Sequence, residues 1–119
     1  MSDFTAQFKS LAELFGQAAK GTLAKVDHWT FKLLVDQLKQ NDYDVACEAI
    51  NQLVKEKRLI AIPPLFFVAK MHPNPYVRIK ADKALKEFNQ DSVIADLSTG
   101  KPIPEATKIL IDHYGNYQK

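Results

Sequence analysis

Residues 73–88 read PNPYVRIKADKALKEF, and this stretch decides how the rest of the chain is interpreted. Prolines stand on both sides of Asn74, which predicts a turn that ends with Asn74 as a helix cap and Pro75 at the first helical position. Small and apolar residues then recur at three- and four-residue spacings: Val77, Ala81, Ala84, Leu85 and Phe88. This is the period of a helix that buries one side.

The same period runs through most of the chain. Apolar stripes predict further helices over about residues 4–20, 28–40, 44–57, 61–71, 91–98 and 105–114. We expect Asp27 to cap the helix that begins at about His28. Pro63 and Pro64 fit the first turn of a helix and are incompatible with a central strand. The chain is therefore predicted to be all-α, with six or seven helices.

The chain also matches itself when it is shifted by 32 residues. The shift aligns three pairs in two predicted helices: Val45 with Val77, Ala49 with Ala81, and Leu53 with Leu85. Repeats of this period arise when a helix pair stacks on a copy of itself to bury its apolar face. We expect the clearest repeats over about residues 29–57 and 61–88, with capping helices at both ends of a single all-helical domain over residues 1–119.

The best-matched piece has the pattern P-x-V-R-x-x-A-x-x-A-L over residues 75–85. Together with residues 44–53 and 61–65 it resembles HEAT-like repeats, especially the short repeats of phycobilisome lyases. The resemblance implies an α-solenoid, a right-handed superhelix of antiparallel helix pairs whose second helices line a concave binding surface. The first copy departs from the pattern, with Ala46 in place of the arginine and Gln52 in place of a small residue.

Composition excludes several classes of protein. At 119 residues, 46% hydrophobic and 25% charged, the chain is typical of globular proteins and long enough to bury a core without a disulfide or a metal. Its single cysteine favours a reducing compartment. Without a run of about 18 apolar residues or a signal-peptide pattern at its start, we expect a cytoplasmic protein with no membrane partner.

Candidate catalytic residues do not form a recognisable motif. The three histidines, His28, His72 and His113, are far apart in the sequence and fit no metal-ligand spacing. Cys47 lies within an apolar helix, which predicts a buried and unreactive thiol. We therefore expect a protein that is not an enzyme and uses no cofactor.

Positive charge is concentrated in the middle of the chain. The formal net charge is +2, whereas residues 55–86 contain eight basic and two acidic residues and carry +6. In the predicted helix after Asn74, Ile79, Lys83 and Lys86 project from one side and Lys80 borders them. Such a cationic surface with an apolar residue favours an acidic protein partner.

Arg78 has two interpretations at the start of the same helix. It either forms an ion pair with Asp44 in the neighbouring repeat or contacts a ligand. Including it, the predicted partner-binding residues are Arg78, Ile79, Lys80, Lys83 and Lys86.

The first functional hypothesis is a scaffold-like helical-repeat protein that acts as an adaptor, a chaperone-like subunit or a regulator. The lyase resemblance implies an alternative, a subunit or relative of a bilin lyase, although two repeats make a small groove. A further alternative is salt-dependent nucleic-acid binding through the basic helix, against which the modest overall charge argues. The lysines could equally form a solvated helix face.

Overall fold

The architecture comes from a computed structural model that describes residues 2–22 and 25–115. These residues form seven α-helices and no strand, with a 3₁₀ turn at Leu59–Ala61. The helices are α1 (Ser2–Thr22), α2 (Lys25–Leu38), α3 (Tyr43–Glu56), α4 (Ile62–Met71), α5 (Pro75–Lys86), α6 (Asp91–Ser98) and α7 (Ile103–Gly115). The all-α prediction is confirmed, and the number of helices agrees with it.

Helix α4 lies at the centre of the molecule. It packs against α1, α5 and α7, while α1 lies across α2 and α7, and α3 packs against both α2 and α5. Helix α6 packs on α7. The radius of gyration is 12.8 Å, close to the value of about 13 Å expected for a compact globule of this length.

The core is built around aromatic side chains of α1 and α4. The ring of Phe67 lies 5.7 Å from that of Phe4 and 6.1 Å from that of Phe8, between ring centroids. Every residue of α4 from Ile62 to Val68 is buried, because neighbouring helices cover it on several sides. Burying a side chain of this size contributes about 1.5–3 kcal/mol, so these rings join α1 firmly to α4.

The first and last helices come into close contact. A Cβ atom at Gly115 would lie 2.9 Å from the Cβ of Ala18, closer than two carbon atoms pack. Glycine at the end of α7 therefore lets α1 and α7 approach each other, and the two terminal helices meet on the same side of the protein.

The starts of α3 and α5 are capped in the same way. The Asp42 carboxylate accepts the backbone N–H groups of Asp44 and Val45 at 2.9 and 3.2 Å. The Asn74 side-chain oxygen accepts the N–H of Tyr76 at 2.9 Å. Both caps satisfy amides that have no partner within the helix. The predicted roles of Asn74 as cap and of the proline after it as the first helical residue are confirmed.

The predicted cap of α2 is wrong. The helix begins at Lys25, so Asp27 lies within its first turn rather than before it. A carboxylate in the first turn is favoured by the helix dipole. Its oxygen also lies 3.0 Å from the guanidinium of Arg58, which ties the start of α2 to the end of α3.

Candidate partner-binding surface

Helices α3 and α5 lie side by side and run in the same direction. Near their starts, the rings of Tyr43 and Tyr76 meet edge to face with centroids 6.4 Å apart. Near their ends, Lys57 Nζ lies 4.0 Å from Glu87 Oε1. The start of α3 contacts the start of α5, and the end of α3 lies near the end of α5. The two helices are therefore parallel along their length and present one continuous outer surface.

A shallow groove of about 210 Å³ lies between the two helices. It combines apolar side chains with two lysines and one carboxylate, that of Glu87, which pairs with Lys57. The groove is lined by Ile50, Asn51 and Val54 from α3 and by Lys80, Lys83, Ala84 and Glu87 from α5. We call these residues, together with Tyr43, Tyr76 and Ile79, the α3–α5 surface.

Three of the predicted partner-binding residues lie on this surface. Ile79 is 53% exposed, Lys83 is exposed, and Lys80 is partly buried at the groove. Lys86 is exposed as well, but it lines a different groove between α4, α5 and α6. There its ammonium lies 3.9 Å from the carboxylate of Asp82.

Arg78 points away from the α3–α5 surface. Its Nη1 donates a hydrogen bond to the backbone carbonyl of His72. The expected ion pair between Arg78 and Asp44 does not form. The turn before α5 brings the His72 carbonyl within reach of the guanidinium, so Arg78 supports the turn that precedes its own helix.

The buried His72 joins the turn before α5 to the segment between α2 and α3. Its Nδ1 accepts the backbone N–H of Asn74 at 3.0 Å, which requires an unprotonated nitrogen. The proton therefore lies on Nε2, which donates to the carbonyl of Gln40 at 3.0 Å. Burial lowers the pKa of His72; the bond to Gln40 opposes this shift, and the charge of Arg78 adds to it. The neutral imidazole thus joins the end of α2 to the start of α5.

Lys80 and Lys83, like Lys55, are cations of the basic segment that have no charged partner in the described part of the chain. Neither forms an ion pair with a carboxylate among the side chains that the structure describes. By contrast, Arg58 pairs with Asp27 and Glu56, and the Lys70 ammonium lies 5.7 Å from the centre of the Phe66 ring. The +6 of the segment is therefore distributed over several faces, and the α3–α5 surface keeps its own unpaired charge.

The apolar spacing of the sequence did not single out the two tyrosines of the surface. Tyr76 is 69% exposed and Tyr43 is 45% exposed. A hydrogen bond with the Cys47 side chain is the main reason that the pKa of Tyr43 is raised. Cys47 itself is buried, as predicted. The 32-residue shift aligns Tyr43 with Pro75, one residue before Tyr76, so it could have shown that both tyrosines lie in the first turns of matched helices.

The histidines have structural contacts. His28 Nε2 lies 3.0 Å from the Gly16 carbonyl, and the His113 ring meets Tyr114 edge to face. Among the residues that the structure describes, no group of three or more His, Cys, Asp or Glu side chains is placed to hold a metal ion. In the same ranges, no helix combines the length and the apolar character needed to cross a bilayer.

Comparisons with protein-family models, with curated proteins and with solved structures gave no match. The properties that indicate a function are therefore the shape, exposure and charge of the chain's own surfaces.

Proposed function

We propose that this protein binds an acidic segment of another protein on the α3–α5 surface, as a non-enzymatic adaptor, chaperone-like subunit or regulator. The observation that carries the proposal is the exposure of Tyr76 and Ile79 beside the unpaired Lys80 and Lys83. Exposed aromatic and aliphatic groups are typical anchors of interfaces. Unpaired cations next to them accelerate the approach of an acidic partner and repel a basic one.

The proposed architecture is a HEAT-like right-handed superhelix. Helices α2 and α3 pack together after a short connection, as do α4 and α5, in the manner of antiparallel helix pairs. The second helices of these pairs, α3 and α5, begin 32 residues apart and run parallel. In stacked repeats such second helices form a shared binding face. The right-handed sense comes from the resemblance to phycobilisome-lyase repeats.

A shallow, open groove suits a protein segment better than a small substrate. Small-molecule sites typically bury most of their ligand in a cavity of about 300–1,000 Å³, and the groove between α3 and α5 measures about 210 Å³. A cytoplasmic location belongs to the same proposal, since the thiol of Cys47 stays reduced there.

The test is affinity capture from a lysate of the source organism with the wild-type chain and a charge-reversed variant. Lys80→Glu/Lys83→Glu reverses the two unpaired cations of the groove. The control, Lys101→Glu/Lys108→Glu, makes the same change in net charge at two exposed lysines outside the α3–α5 surface. Circular dichroism verifies that both variants remain folded. We expect a protein partner that the control retains and the groove variant loses.

A second variant separates anchoring from charge. Tyr76→Ala/Ile79→Ala leaves both groove lysines in place and removes the exposed apolar groups, so we expect the association rate to change little and dissociation to become faster. A partner captured equally by all variants would contradict the proposal.

The two alternative functions predict different results. Recovery of nucleic acid alone, lost at high salt and after nuclease treatment, would favour the nucleic-acid hypothesis. A change in the visible absorbance of biliverdin on addition of the chain would favour the bilin-lyase hypothesis. Either result without a protein partner overturns the adaptor proposal.

A further inference from the structure

A second groove lies between α1 and α2, and none of its lining residues belongs to the α3–α5 surface. Its volume is about 310 Å³. The residues that matter here are Ala12 and Gly16 from α1 and Trp29, Lys32, Leu33 and Asp36 from α2.

The groove is rimmed by large apolar side chains in contact with solvent. Trp29 is 66% exposed and Leu33, one helical turn later, is 48% exposed. On α1 the groove is lined by Phe15 and by two small residues, Ala12 and Gly16. Exposed apolar groups of this size beside a groove are characteristic of an interaction surface.

A hydrogen bond and a side-chain contact join the two helices at the groove. His28 Nε2 lies 3.0 Å from the Gly16 carbonyl and links α2 to the middle of α1. The Lys32 side chain covers the same glycine, with its Cδ and Cε 3.8 Å from the position of a Gly16 Cβ. The groove therefore exists before any partner arrives, which lowers the entropy cost of binding.

The charged residues of the groove can pair with the same residues in a second copy of the chain. Lys32 and Asp36 have opposite signs and stand one turn apart on the same side of α2. Asp36 also pairs with Lys39 at 2.9 Å, yet its side chain remains 61% exposed. Asp36 repels an acidic partner and Lys32 repels a basic one, so a partner of uniform charge is repelled at one of the two positions. Two antiparallel copies of α2 satisfy both.

We propose that this face of α2 is a self-association surface for a second copy of the chain. A two-fold axis close to Leu33 sets Lys32 of each copy opposite Asp36 of the other, because an isologous contact repeats every pair twice. The same arrangement brings Trp29 of each copy to the Ala12 end of the other groove. The dimer would carry two α3–α5 surfaces and so bind a partner with two acidic segments more tightly than one copy does.

The mass of the wild-type chain in solution tests the proposal first. Sedimentation velocity from about 1 μM to about 1 mM covers the range of weak and moderate dissociation constants. We expect the mass to rise from 13.5 kDa toward twice that value. Trp29 is the only tryptophan, so its emission should shift to shorter wavelength over the same concentrations as it leaves water.

A charge swap identifies the surface. Lys32→Glu places two carboxylates against each other at each contact across the two-fold axis, and Asp36→Lys places two ammonium groups there, so each variant alone should remain a monomer. Mixed in equal amounts, the two variants can pair the two carboxylates of one copy with the two ammonium groups of the other and should dimerise. Lys55→Glu makes a matched charge change at an exposed position of α3 and should leave the wild-type dimer intact. Circular dichroism of each variant separates loss of association from loss of fold.

Three results would overturn the proposal. The wild-type chain could remain a monomer up to about 1 mM, as it would if the groove bound a different protein instead of a second copy. The dimer could persist in Lys32→Glu and in Trp29→Ala, which would place its interface elsewhere. The mixture of the two charge variants could stay monomeric. The Lys80→Glu/Lys83→Glu variant should dimerise normally, so failure of this proposal is distinguishable from failure of the partner-binding proposal.

Discussion

Replacing His72 with leucine tests the junction on which the position of α5 depends. The substitution keeps an apolar side chain beside Phe4, whose ring centroid lies 4.9 Å from that of His72. It removes the donor to the Gln40 carbonyl and the acceptor for the Asn74 N–H. Each bond contributes about 1 kcal/mol net, and a buried polar group left without a partner costs about 1–3 kcal/mol. We expect the free energy of unfolding to fall by about 2–4 kcal/mol.

Urea denaturation followed by far-ultraviolet circular dichroism measures this loss. His113→Leu provides the control, because His113 is exposed and surface substitutions usually change the free energy of unfolding by less than about 0.5 kcal/mol. Hydrogen exchange supplies a local readout, since the Asn74 amide should lose protection in His72→Leu before the amides of α7 do. A loss below about 1 kcal/mol, or one equal to that of the control, would refute the assigned role of the His72 hydrogen bonds.

The same histidine predicts a pH dependence whose sign follows from its lowered pKa. The unfolded chain binds a proton at this position near the ordinary value of about 6.5, whereas the folded chain resists protonation to lower pH. The contribution of His72 to the free energy of unfolding is therefore fully present above about pH 6.5. It falls as the pH decreases toward the pKa of the folded state, by at most about 1.4 kcal/mol per pH unit. The slope should be shallower in His72→Leu than in the wild type. Equal slopes would contradict the burial of a neutral imidazole.

Three further substitutions probe the core, a cap and a helix contact by urea denaturation. Phe8→Ala should lower the free energy of unfolding by about 3–5 kcal/mol, because the fully buried ring leaves a cavity; a loss under about 2 kcal/mol would contradict its place in the core. Asn74→Ala should cost about 1 kcal/mol through loss of the bond to the Tyr76 amide, and restoration by Asn74→Asp checks that the cap is responsible. Gly115→Ala should cost about 1–3 kcal/mol, since the new methyl group meets Ala18. The penalty should shrink in an Ala18→Gly background, and an unchanged penalty would exclude this contact as its source.

Helix content was predictable because it depends on local spacing. The stripe over residues 75–88 buries Val77 and Ala81 and exposes Ile79 and Lys83, as the period requires. The helix cap at Asn74 was equally predictable from the sequence, since it needs only a short polar side chain before a proline. The start of α2 was misplaced because acidic residues are favoured both as caps and in the first turn. Sequence alone does not distinguish these two positions.

The candidate surface was predictable only in part. Periodicity located the exposed side of α5, with Ile79 and Lys83 upon it, since one helix is enough to define its own faces. The role of Arg78 was not predictable, because its hydrogen bond to His72 depends on the path of a turn. The repeat resemblance implied that α3 lies beside α5, but the side chains that meet across the groove were not predictable, because they depend on how the two helices dock.

The sequence by itself determined that the chain is helical, where most helices begin, and which side of each helix is apolar. Those properties arise from caps, prolines and side-chain spacing within a few residues. Only the tertiary structure decided that Tyr43 meets Tyr76, that His72 reaches Gln40, and that α1 closes against α7. These contacts join residues far apart in the chain, and packing of the whole core sets their geometry. The two candidate interaction surfaces exist because of that packing.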